Sequence, residues 1–98
     1  MPPRLLSLVE DLRRVAPPAR IEMRVLPSGV VFLNVFPGAR EFVLEYWPSD
    51  GFGVSENDQD TPPFHVGHDA VFESANEAAE YLIKLVAESL KAPSVAAA

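Results

Sequence analysis

Apolar and polar positions alternate along this chain with two different periods, and where the period changes, proline or glycine intervenes. Leu5, Leu8, Val9, Leu12 and Val15 recur at helical spacing, with Glu10, Asp11, Arg13 and Arg14 off that stripe. Pro2 and Pro3 suit the first turn of a helix, where a missing amide costs nothing, so the pattern predicts a helix running to about Ala16. Pro17 and Pro18 cannot continue it. The period then drops to two. Arg20 to Val25 alternates charged and apolar residues, as a half-buried strand does, whereas Val30 to Phe36 is apolar on both faces, as in a central strand. Arg40 to Trp47 alternates again, with Phe42, Leu44 and Tyr46 on one side and Glu41, Val43 and Glu45 on the other. Turns are expected at Pro27-Ser28-Gly29, Pro37-Gly38 and Pro48-Ser49-Asp50-Gly51, and Phe52 to Ser55 can return as a short fourth strand.

From Glu56 to Asp69 the residues are polar, acidic and proline-containing, which predicts a long loop, with a short extended piece at Phe64 to Val66. Val71-Phe72 reads as a short strand. Ser74 and Glu77 then have the spacing of a capping box, in which the serine hydroxyl accepts from the amide three residues on. A helix with Ala75, Ala78, Ala79, Leu82, Val86 and Leu90 as its apolar stripe follows, ending near Leu90 or Lys91. Each helix has one stripe to bury. The class is therefore α+β: an antiparallel sheet of three to four strands with an N-terminal and a C-terminal helix packed on one face, in the order α-β-β-β-(β)-α. Residues 1–91 form a single domain, and 92–98 are expected to be a loose C-terminal tail.

Composition fits a globular chain: of 98 residues, 48% are hydrophobic and 22% charged, far from the regime of disorder. The absence of cysteine removes disulfides, thiolate metal sites and thiol nucleophiles, and leaves the redox compartment open. Charged residues interrupt the N-terminal segment, and no stretch is apolar enough to span a bilayer, so no signal peptide or membrane contact is expected and cytoplasm is the default.

Charge sharpens the picture, because it is unevenly placed. Residues 1–40 carry six arginines against three acids, a charge of +3. Residues 41–98 carry two lysines against eleven acids, a charge of −9, and the total is −6. No basic residue lies between Arg40 and Lys84. An acidic surface repels nucleic acid and anionic lipid and attracts basic proteins. Some of these carboxylates have local work. Glu41 and Glu45 are expected to pair with Arg20 and Arg24 across strands, and Glu77 to cap the last helix.

Candidate chemistry is sparse. His65, His68 and Asp69 are of the right type for a transition metal, but they fall in a proline- and glycine-containing segment without a further ligand, so they are weak metal candidates. Glu56, Asn57, Asp58 and Asp60 have the oxygen ligands calcium favours, yet Pro62 and Pro63 occupy the frame an EF-hand loop needs. Ser55 follows Gly53-Val54 as in half of a nucleophile elbow, but Glu56 and Asn57 replace the small residue and helix that would complete it. Gly51-Phe52-Gly53 lacks the basic surroundings of a phosphate loop and reads as a turn. No catalytic residue or cofactor is therefore assigned.

The leading expectation is a small, non-enzymatic protein-binding module of bacterial type, immunity- or antitoxin-like or an adaptor, that meets a basic partner. Its expected contact residues are Trp47, Asp50, Phe52, Glu56, Asp58 and Asp60, with aromatic anchors among carboxylates that stand where substrate phosphates would. One alternative is a metal-dependent or hydrolytic module centred on residues 56–69. Another is a structural homodimer formed through the sheet, because Phe32, Phe36 and Trp47 would lack cover if the helices pack on the Val31, Leu33 and Val35 side.

Overall fold

The computed structural model describes residues 1–57 and 70–91. Helix α1 (Pro3–Val15) opens with proline in its first turn and turns Leu5, Leu8 and Leu12 inward, three positions that fall on one face at helical spacing. Val15, at the end of the stripe, stays exposed. The helix closes where the Ala16 amide donates to the Leu12 carbonyl at 2.8 Å.

Five strands follow: β1 (Arg20–Val25), β2 (Val31–Phe36), β3 (Glu41–Trp47), β4 (Gly51–Asn57) and β5 (Ala70–Phe72). They form one antiparallel meander in the spatial order β1-β2-β3-β4-β5, so every strand neighbours its successor in sequence. The fourth strand is longer than expected, and the short strand expected at Val71-Phe72 makes a fifth. Strand β4 runs on to pair Asn57 with Glu41. The polar residues Ser55, Glu56 and Asn57 argue for loop by composition, but an antiparallel strand needs apolar residues on only one face and tolerates polar ones on the other. Strand β5 is real though short, pairing Phe52 with Phe72 and Gly53 with Val71. Gly51, at φ 95°, begins β4, and a Cβ there would meet the Phe72 carbonyl oxygen at 2.7 Å. Only glycine fits both constraints.

Helix α2 (Ala75–Lys91) starts as its sequence requires, with the Glu77 amide donating to Ser74 Oγ at 3.3 Å. It buries Ala78, Ala79, Leu82 and Val86 against β3, β4 and β5, and lies beside α1. Arg4 ties the helices together: its Nε donates to Asn76 Oδ1 at 3.0 Å, while its Nη1 meets Asp11 Oδ2 at 3.0 Å.

Both helices cover one face of the sheet. That face carries Val31, Leu33 and Val35 of β2, Phe42 and Leu44 of β3, and Phe52 and Val54 of β4, all buried. Each fully buried leucine or phenylalanine contributes about 1.5–3 kcal/mol, so this dry layer holds the fold together. Among the described residues no polar or charged side chain is buried. No described helix is long and apolar enough to cross a membrane.

Candidate protein-contact face

No described helix lies over the other face of the sheet. Strand register places its residues in rows across the sheet. One row runs Arg24, Phe32, Glu45, Gly53 and Val71 over all five strands, and the next runs Glu22, Asn34, Val43 and Ser55. Arg20 and Phe36 begin a third, and Trp47 stands opposite Gly51 at the far end. The face is therefore graded: basic on β1, aromatic on β2, acidic on β3, and almost without side chains on β4.

On the β1–β2 side, the phenylalanines have cover from within the chain. The Arg20 guanidinium lies 4.2 Å from the centroid of Phe36, and that of Arg24 lies 5.2 Å from Phe32. Arginine is suited to this, since its planar cation is weakly hydrated and is attracted to the electron-rich ring face. Arg20 also pairs with Glu22 at 3.1 Å. Strand β2 lies between β1 and β3 and sets them about 10 Å apart, so Arg20 and Arg24 are not direct cross-strand neighbours of Glu41 and Glu45.

The β3–β5 side is built differently. Trp47 stands 42% exposed at the end of β3, edge-on to Phe32 with ring centroids 6.4 Å apart. Its Nε1 donates to Glu45 Oε1 at 3.0 Å, which fixes a carboxylate beside an exposed indole. Asn34 Nδ2 donates to Glu41 Oε2 at 2.6 Å and does the same further along β3. Next to Trp47, Gly51 and the buried Gly53 put no side chain on this face of β4, and beyond them Val71 rises from β5 at 68% exposure. The result is a shallow groove with an indole for one wall, valine for the other and glycine for its floor, with Asp50 at its rim. Asp50 is held there by the tight turn in which its amide donates to the Trp47 carbonyl at 2.9 Å.

The contact residues expected from sequence therefore separate. Trp47 and Asp50 come together at the groove. Phe52 lines the same groove but offers it little surface: its ring is buried, 4.8 Å from that of Tyr46 between centroids. Alternation along β4 dictates this, since Phe52 falls between the two glycines of the open face. Glu56 lies at the other end of β4, about 17 Å along the strand from Gly51, and is held by Arg40 through bonds of 2.6 and 2.7 Å. That pairing raises the Arg40 pKa above its ordinary value, chiefly through the hydrogen bond to Glu56. Asp58, Asp60, His65, His68 and Asp69 lie outside the described residues. Among the described residues no group of three or more histidine, aspartate or glutamate side chains could hold a metal ion.

Gly51, Gly53 and Val71 are the groove residues that sequence reasoning missed. Their signal was present, because glycine at alternate positions of a strand clears one face of it. Compared with family models, curated proteins and solved structures, the chain matches none.

Proposed function

We propose that this chain is a non-enzymatic protein-binding module that takes a basic segment of a partner protein on the β3–β5 side of its helix-free face. An apolar side chain of the partner fills the groove between Trp47 and Val71. Flanking lysine or arginine side chains meet Glu45, Asp50 and, further along, Glu41. The observation that carries this reading is the groove itself: two exposed apolar walls over a glycine floor, next to a carboxylate that the indole holds in place. Aromatic anchors ringed by charge of one sign are what binding hot spots and steered association require.

Neutralisation of a cationic site on another protein, as an immunity protein or antitoxin does, is one form of this activity, and an adaptor is another. The overall charge of −6 favours either against nucleic acid or an anionic membrane surface.

Trp47 is the single tryptophan, so it doubles as the probe. Selection of peptides from a random display library on the immobilised chain should enrich sequences with leucine or phenylalanine beside lysine or arginine. Titration of such a peptide should shift the Trp47 emission, with an affinity that falls as salt rises. Recovery of the same peptides, at the same affinity, on a Val71→Asp variant would overturn the reading.

A further inference from the structure

Strand β1 is the long open edge of the sheet, and we infer that it pairs with the β1 of a second copy of this chain, antiparallel about a two-fold axis through Met23. The inference is independent of the groove on the other side of the molecule. It starts from which main-chain groups point outward. The Leu26 amide donates to the Val30 carbonyl at 2.8 Å, in line with the β1–β2 register. Main-chain groups alternate in direction along an antiparallel strand, so Leu26, Arg24, Glu22 and Arg20 turn theirs toward β2, and Ile21, Met23 and Val25 turn theirs to the open edge. Among the described residues no strand pairs with that edge. An unpaired edge of this kind is a template for another strand.

Side chains then select the register. With Met23 on the axis, Ile21 faces the second copy's Val25, and about six main-chain hydrogen bonds form. Glu22 falls directly opposite the second copy's Arg24, twice by symmetry, in the closely spaced positions where opposite charges attract. The neighbouring registers fail. An axis through Glu22 sets Glu22 against itself and Arg20 against Arg24, and an axis through Arg24 sets that arginine against its own copy. An axis through Ile21 restores charge matching, but it needs the Ala19 amide, which already donates to the Ala16 carbonyl at 2.9 Å. Of the two registers in which the alternation Arg20-Glu22-Arg24 is self-complementary, only the one about Met23 leaves its outward amides free to pair.

The helix side of the same edge supplies apolar surface. Val25 is 54% exposed and Leu6 of α1 is 58% exposed. Between α1 and β1 runs a groove of mixed character, in which Leu6, Ile21 and Met23 lie beside Glu10 and Arg13. Pairing about Met23 joins the grooves of the two copies and brings Val25 of each beside Ile21 of the other. The product is one continuous sheet of both copies, with both sets of helices on one side and both helix-free faces on the other. Five strand spacings separate the two copies of β3, about 24 Å.

Analytical ultracentrifugation of the full chain over a wide concentration range tests this. The expected result is a species of twice the 10.7 kDa chain mass. Glu22→Arg alone, or Arg24→Glu alone, should weaken association about tenfold or more by setting like charges opposite one another. The double variant Glu22→Arg with Arg24→Glu should restore it, because each arginine again faces a glutamate. Both substituted positions are exposed, and circular dichroism of the three variants checks that each is folded. A chain monomeric at every concentration, single reversals without effect, or a double variant as weak as the singles would each overturn the proposal. So would a dimer that ignores the reversals and is lost in Phe32→Asp, which would locate the contact on the sheet face.

Discussion

Leu33 and Phe32 are neighbours on β2, yet they belong to different environments. Leu33 points toward the helices, into a layer where every described side chain is apolar and dry. Phe32 points the other way, with a guanidinium over one side of its ring and an indole at its edge. The first face is closed by the chain's own helices through bulk burial. The second has no described helix over it: arginines on β1 lie over its phenylalanines, and Gly51 and Gly53 put no side chain on it from β4. A sheet face covered by packed helices serves stability, and one that carries charged and aromatic groups with exposed apolar ones at its end is suited to association.

The sharpest way to break this distinction is to truncate both neighbours. Leu33→Ala should cost about 2–5 kcal/mol, the transfer energy of the lost atoms together with the cavity left between sheet and helices. Phe32→Ala removes a larger side chain but should cost only about 1 kcal/mol, the sum of a ring contact and a cation–ring contact at a half-open position. Urea unfolding monitored by circular dichroism measures both. A ranking in the opposite order would mean that Phe32 is buried in solution, and the helix-free face would then be a closed interface.

Gly51 tests where the two faces meet. Its φ of 95° and the 2.7 Å approach of the Phe72 carbonyl leave no room for a Cβ, so Gly51→Ala should cost about 1–3 kcal/mol. Relief of that clash moves β5 away from the start of β4. The groove wall formed by Val71 shifts with it, so peptide binding should fall as well as stability. Unchanged affinity in a destabilised Gly51→Ala protein would separate the groove from the register of β5.

The layered design was legible because burial imposes a period. Leu5, Leu8 and Leu12 at helical spacing, and Phe42 and Leu44 at strand spacing, have no other way to reach a common core. The strand tail Ser55 to Asn57 was not legible, since polar residues on a half-open strand resemble a loop in composition. The arginine cover over Phe32 and Phe36 depends on the register between β1 and β2, which is set by the turn at Gly29 and cannot be read from alternation alone. Trp47 and Asp50 could be singled out as exposed turn neighbours, whereas Val71 acquires a role only once β5 is known to pair with β4.

Val71 offers the finest discrimination between the two faces, because it is the most exposed of the large apolar residues described. At 68% exposure on a short edge strand it has little burial to lose, and Val71→Ala should change stability by no more than about 0.5 kcal/mol. Its loss nevertheless removes one wall of the groove. Partner-peptide affinity should then drop by roughly the value of one or two buried methyl groups, about threefold to tenfold. Val54 provides the control. It lies on the neighbouring strand but faces the helices, so Val54→Ala should show the reverse, a clear loss of stability with affinity retained by the folded fraction. Equal effects of the two substitutions on stability and binding would erase the division of labour between the faces.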